Sequence, residues 1–256
     1  MTVQEIYNLV DTLAPFDTQD EFDNSGLLVG SRAQEVTGIL LAMDTTEDVI
    51  REALEKGANL IITHHPLMFT ARKRMTDEDF EGRLIRRLIR EDLSLIAAHT
   101  CLDKAPGGIN DTLAALCGLT DVEGEDYIRV GNLPSPVSAD TLARELSARL
   151  GDTVRRMGPA DAVVHRLGLC SGSGSGEWEK AALLGCDAFL SGEVKHHHAL
   201  DMADNGIVAL EGGHYATEVA GIFALGDALQ NAIDKIELKK RVFKSSRKAY
   251  SFPPQP

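Results

Sequence analysis

The sequence predicts an α/β fold made of two α/β subdomains with mostly parallel sheets. Three observations predict it. Short apolar blocks such as Gly38–Met43, Asn59–Thr63 and Ser94–Ala98 recur along the first half. Stretches with apolar residues at helical spacing separate them, and glycine or proline punctuates the joins. Strands separated by helices of this length imply right-handed βαβ crossovers and a largely parallel sheet.

The elements follow in order. Thr2-Val3-Gln4-Glu5 is a capping box, a hydroxyl for an early N–H with a glutamate three residues on. Ile6, Leu9, Val10 and Leu13 then share a helical stripe that Pro15 ends. The strand at 38–43 leads to a helix from about Thr46 to Lys56, closed by Gly57. After the strand at 59–63, Phe80, Leu84, Ile85, Leu88 and Ile89 mark another helix, and a third strand follows at 94–98. Gly131–Pro136 is dense in turn formers and reads as a link between subdomains. Beyond it come a helix through Leu142, Leu146 and Leu150, a strand at Arg166–Cys170 and a flexible Gly/Ser loop at 171–176. A helix through Leu184, strands at 188–190 and 207–210 and an amphipathic helix from about Ala216 to Ala232 complete the pattern. The expected division is a first domain over 1–128, completed by about 205–238, an inserted second domain over 129–204, and a basic flexible tail over 239–256.

Composition narrows the function classes. With 26 Lys+Arg against 39 Asp+Glu, the net charge of −13 argues against a nucleic-acid coat, and no apolar run is long enough to span a membrane. Met1–Glu5 lacks a secretory pattern, which predicts a cytoplasmic protein. After Leu238 there are six cations and no carboxylate, read as a solvated terminus. Cys101, Cys117, Cys170 and Cys186 form no C-x-x-C pair and read as reduced, mostly buried small hydrophobes.

The chemistry falls at strand ends. Asp44 follows the first strand, His64 and His65 the second, His99 and Asp103 the third; Glu193 and then His214 and Glu218 follow the later ones. In an open parallel sheet the ligand crevice lies outside the carboxyl ends of the strands, so these groups are expected along one rim. Imidazoles and carboxylates together suit Zn²⁺, Mn²⁺, Fe²⁺ or Co²⁺. His64, His65, Asp103, His214 and Glu218 exceed what one catalytic zinc needs, so two divalent ions per subunit are the economical reading, with Glu218 as a carboxylate that could bridge them. Among His196, His197 and His198, consecutive helical positions cannot all face one way. The 171–176 loop could hold an anion at a helix N-terminus or simply connect.

Six segments in order resemble the GTP cyclohydrolase 1 type 2 homologs, also called Nif-three-like proteins: Glu21–Gly30, Ile61–Phe69, His99–Asp103, the 171–176 loop, Ser191–His197 and Gly212–Glu218. The resemblance covers about residues 1–238. It implies a Nif-three-like fold, a toroidal homohexamer and a two-metal site whose ligands map onto His64, His65, Asp103, His214 and Glu218. His99 and His197 match positions close to the metals and take proton-relay or substrate roles. Lys195 and Ser173 of the loop are expected to hold substrate phosphate. The activity implied is a metal-dependent hydrolase in which metal-activated water attacks a purine nucleotide ring or related substrate. A broader hydrolase acting on a phosphoester or cyclic amide is a further reading. The alternative class is a metal-handling or regulatory interaction protein without robust catalysis.

Overall fold

Leucine, isoleucine and valine fill both faces of the central strands, which is how a strand covered on two sides must read. The computed structural model describes residues 1–235 and 241–248. They form two units: Met1–Ala105 together with the described residues from Ile222 onward, and Pro106–Gly221.

In the first unit α1 (Val3–Leu13) carries the expected capping box. Thr2 Oγ1 accepts from the Glu5 N–H at 3.3 Å, and Glu5 Oε2 accepts from the Thr2 N–H at 2.7 Å. β1 (Gly26–Val29), β2 (Ile39–Ala42), α2 (Glu47–Glu55), β3 (Leu60–Thr63), α3 (Phe80–Arg90), β4 (Ser94–Ala97) and the short α4 (Thr100–Lys104) follow. The parallel strands β2, β3 and β4 are adjacent, and β1 runs antiparallel on the outer side of β4. Leu40, Ala42, Ile61 and Leu95 meet Val49, Ile50 and Ala53 of α2 and Leu84, Ile85 and Leu88 of α3 in one core.

The second unit contains α5 (Ile109–Cys117), β5 (Thr120–Glu123), β6 (Arg129–Ser138), α6 (Ala139–Leu150), β7 (Arg155–Met157), β8 (Val163–Cys170), α7 (Trp178–Leu183), β9 (Ala188–Ser191), α8 (His196–Asp204), β10 (Val208–Glu211) and the start of α9 (His214–Lys235). Its sheet, β5-β6-β8-β9-β10-β7, is mixed: β8, β9 and β10 are parallel and the flanking pairs antiparallel. Side chains alternate across it with period two. Ala188, Leu190, Val208 and Leu210 join the core under α5 and α6, whereas Phe189 and Ala209 join Trp178, Ala181 and Met202 on the other face.

Three expectations need correction. Gly131–Pro136 is no linker; it lies inside β6. Its prolines, which cannot donate to a ladder, sit where the β6–β8 register shifts between Asn132 and Val137 and beyond the β5 pairing that ends at Asn132. The unit boundary falls earlier and later than expected because Leu113, Ala114 and Cys117 of α5 bury in the second core and β10 bonds to β9. Finally, part of the supposed flexible tail is ordered. Val242–Lys244 form β11, parallel to β2. Lys239, Lys240 and residues 249–256 of that tail lie outside the described residues.

Three residues make a weak strand, so β11 is held from the side. The Val242 N–H donates to Gln230 Oε1 at 2.8 Å, and Lys244 pairs with Asp227 at 2.8 Å. Just beyond it, buried Glu52 accepts from Ser245 Oγ at 2.6 Å and from the Ser246 N–H at 3.2 Å. Burial by itself would raise the Glu52 carboxyl, but the hydrogen bonds from Ser245 and Ser246 outweigh it, with Lys56 adding to them, and hold it below the usual range. A depressed carboxyl contributes stability above its unfolded pKa and loses it as pH falls through the folded one. Glu52→Gln is therefore expected to cost about 1–3 kcal/mol at neutral pH. In denaturant titrations the gap to wild type should narrow as pH drops below about 4. A gap that widens in acid would contradict this assignment.

Candidate metal centre

The register of the first sheet decides which side chains meet. Ala42, Thr63 and Ala97 stand side by side at the ends of β2, β3 and β4. Two residues further on each chain lie Asp44, His65 and His99. The strand stops at Thr63, whose hydroxyl donates to the His65 carbonyl at 2.8 Å, so the two neighbouring imidazoles are freed from strict alternation. The rings gather closely: centroids are 5.0 Å apart for His64 and His65, 5.1 Å for His64 and His99, and 5.6 Å for His65 and His99. One ring nitrogen from each lies within 4.8 Å of the other two.

The hydrogen bonds orient these rings. His64, fully buried, donates its Nδ1–H to the Ala98 carbonyl at 2.9 Å. A carbonyl can only accept, so Nε2 is the lone-pair atom. His65 Nδ1 donates to Asp44 Oδ1 at 2.7 Å and His99 Nδ1 to Asp23 Oδ1 at 2.8 Å. Asp103, buried on α4, brings Oδ1 to 3.6 Å from His64 Nε2. Burial alone would raise the Asp23 carboxyl; hydrogen bonds from His99 and Thr100 overcome this and hold it well below the usual carboxylate range.

The second unit builds a matching arrangement. α9 begins at His214, two residues before the sequence pattern indicated, so His214 and Glu218 share one face at i, i+4. His214 Nδ1 donates to Glu193 Oε1 at 2.7 Å, and its Nε2 lies 3.1 Å from Glu218 Oε2. Ser173 Oγ is 3.5 Å from His214 Nδ1. The 171–176 loop, expected to be flexible, is instead pinned. The Ser171 N–H donates to Asn110 Oδ1 at 2.8 Å, the Gly172 N–H to Thr217 Oγ1 at 3.1 Å, and Ser191 Oγ to the Gly172 carbonyl at 3.2 Å. Gly172 has φ +54°, a left-handed conformation, and a Cβ there would run into Glu218 Oε1.

Three of the remaining residues sit at the start of α8. Lys195 and His197 are exposed, and only His198 of the histidine triplet is half-buried, consistent with one helical position facing inward. Its Nδ1 lies 3.0 Å from Ser175 Oγ and its ring 4.2 Å from that of His197. Burial, then the neighbouring His197 and Lys195, lower its pKa. Cys101 is buried, and burial pushes its thiol up to about 11, as expected of a packing residue.

Each of His64, His65, His99 and His214 thus offers its Nδ1 proton to an oxygen acceptor. That is the arrangement by which metal-ligating imidazoles are fixed in tautomer and direction. The imidazole and carboxylate donor set fits a borderline divalent ion.

A family model described as Duf34/NIF3 (NGG1p interacting factor 3) matches residues 1–249. The chain belongs to this family. A Clostridium perfringens relative named GTP cyclohydrolase 1 type 2 homolog is 32% identical over 262 residues, covering 98% of this chain and 100% of its own. A Campylobacter jejuni relative of the same name is 34% identical over 221 residues, 85% of this chain and 88% of its own. A solved Staphylococcus aureus structure shares 28% identity and a TM-score of 0.92 over 99% of both chains. The α/β fold expected from the sequence is therefore that of the Duf34/NIF3 family. Among the described residues no helix is long and apolar enough to cross a membrane.

Asp23 is what sequence reasoning missed at this site. It lies inside the Glu21–Gly30 segment that carries the resemblance, but the partners that tie it to the site, His99 and Thr100, are 76 and 77 residues away. No local spacing could have revealed them.

Proposed function

We propose that this Duf34/NIF3 protein is a dinuclear metal-dependent hydrolase. In this reading His64, His65, Asp103, His214 and Glu218 hold two divalent ions, with Zn²⁺, Mn²⁺, Fe²⁺ and Co²⁺ as candidates. The observation that carries it is the shared orientation of the imidazoles, each tied through Nδ1 to an oxygen acceptor. A bound ion pair would supply a water of lowered pKa and a Lewis acid for a substrate oxygen. His99 and His197 are assigned proton transfer, and Lys195 with Ser173 the holding of an anionic group. The substrate class is a purine nucleotide ring or related molecule, as the relatives' names suggest. Self-association into a toroidal homohexamer belongs to the same reading and is read out by light scattering.

The test is metal analysis of purified protein together with formate release from GTP in Mn²⁺, Zn²⁺ or Fe²⁺. The expected result is about two ions per chain and turnover at least a hundredfold above a His64→Ala control. Two ions without turnover on any nucleotide would remove the hydrolase and leave the metal-handling or regulatory role. No bound metal would remove both.

A further inference from the structure

Asp23 is a carboxylate surrounded by hydrogen-bond donors beside these histidines. Its side chain is fully buried, while that of His99 keeps 18% exposure. Oδ1 accepts from His99 Nδ1 at 2.8 Å and from the Asn24 N–H at 2.7 Å. Oδ2 accepts from Ser25 Oγ at 3.0 Å, the Thr100 N–H at 3.0 Å and Thr100 Oγ1 at 2.5 Å. Ser25 Oγ in turn accepts from the His99 N–H at 3.0 Å. The loop therefore grips His99 twice, by ring and by backbone. His99 is also the N-cap position of α4 and makes no capping bond with its own side chain. Asp23 takes that place from a distant segment by accepting the Thr100 N–H, and α4 is the element that carries Asp103.

Five donors occupy essentially the whole acceptor capacity of a carboxylate. A group so committed does not itself bind an ion; it sets the direction of those that do. With Nδ1–H fixed on Asp23, the lone pair of His99 is on Nε2, in the ring that stands 5.1 Å from His64 and 5.6 Å from His65. We infer that Asp23 is the positioning residue of this centre, holding His99 in the tautomer that makes Nε2 a third imidazole donor to a divalent ion beside His64 and His65. This goes beyond the five-ligand reading, in that His99 becomes a ligand in place of the proton-transfer role given it above, and it rests on that reading, since it requires that a metal binds here at all.

Asparagine at this position separates tautomer from packing. An amide offers one acceptor oxygen and one donor nitrogen. Ser25 and Thr100 supply three donors at the Oδ2 position and would claim the oxygen, leaving the NH₂ to face His99 and the Asn24 N–H, whose hydrogen bond is lost. The imidazole must then accept at Nδ1, which moves its proton to Nε2 and blocks that atom as a ligand.

The experiment uses the full chain, labelled with ¹⁵N-histidine for NMR of the metal-free protein and titrated separately with Co²⁺. Wild type is expected to show His99 protonated at Nδ1, and Asp23→Asn to show it protonated at Nε2. Both Asp23→Asn and His99→Ala are expected to weaken Co²⁺ binding about 10- to 100-fold and to alter its visible absorption. Should Asp23→Asn fail to fold, the wild-type tautomer and the His99→Ala titration still decide the matter. His99 protonated at Nε2 in wild type, or His99→Ala with unchanged Co²⁺ affinity and spectrum, overturns this inference alone. Failure of wild type to take up any Co²⁺ sinks the metal reading and this inference with it.

Discussion

Alanine in place of Gly172 is expected to lower metal occupancy at least tenfold while the fold persists. Gly172 sits at φ +54°, where an L side chain costs on the order of 1–2 kcal/mol. The larger effect is steric. The added Cβ would collide with Glu218 Oε1 and stand 3.2 Å from His214 Nε2. The backbone cannot retreat, because the Gly172 N–H is tied to Thr217 Oγ1 and its carbonyl receives Ser191 Oγ. Glu218 is the group that must swing away. Since buried Glu218 is the proposed bridging carboxylate, displacing it removes a ligand without mutating one. Metal analysis after dialysis, with circular dichroism as the fold control, measures the outcome. A folded Gly172→Ala protein with full metal content would show that Glu218 is not a ligand. The same swap at Gly151, where a Cβ meets nothing within 4 Å, should leave metal content unchanged.

The second large effect is stabilisation by the metal itself. An ion that binds only the folded chain adds about 4 kcal/mol when present at about a thousand times its Kd. For a chain of this size that corresponds to a rise in Tm on the order of 10 °C. His64→Ala should abolish most of that rise. It should also lower the metal-free Tm, because a fully buried imidazole is removed and the Ala98 carbonyl loses its donor. The two effects separate in one experiment: the metal-free difference reports packing and the hydrogen bond, and the metal-induced increment reports ligation. An equal increment in wild type and variant would exclude His64 as a ligand.

Much of this centre is legible along the chain, for a physical reason. Parallel strands deliver the residues at their carboxyl ends to one edge of the sheet, so Asp44, His65 and His99 were marked by their distance from three apolar blocks. Borderline metals want imidazole and carboxylate, so residue type identified the class of ligand. The fold class was equally accessible, because buried parallel strands need continuous apolar runs and crossover helices need amphipathic stripes. The errors have causes too. The prolines of Gly131–Pro136 signalled a link, whereas β6 absorbs them at a register shift. The Gly/Ser composition of 171–176 signalled mobility, whereas Asn110, Thr217 and Ser191 lock it from three other elements. β11 was invisible because three residues carry too little periodicity, and its stability comes from Gln230, Asp227 and Glu52 around it.

The amino-acid sequence by itself determined the α/β class, the strands and helices near the site, and the kind of ion that the ligand-bearing residues suit. Those properties depend on side-chain chemistry and on periodicities of a few residues, which any stretch of chain carries locally. Tertiary structure alone decided which nitrogen each imidazole presents, that Asp23 grips His99 and Thr100 from far along the chain, that a glycine must lie against Glu218, and that residues 242–244 pair with β2 of the first sheet. Each of these depends on an acceptor or a surface supplied by a distant segment, and only folding brings such segments within hydrogen-bonding distance.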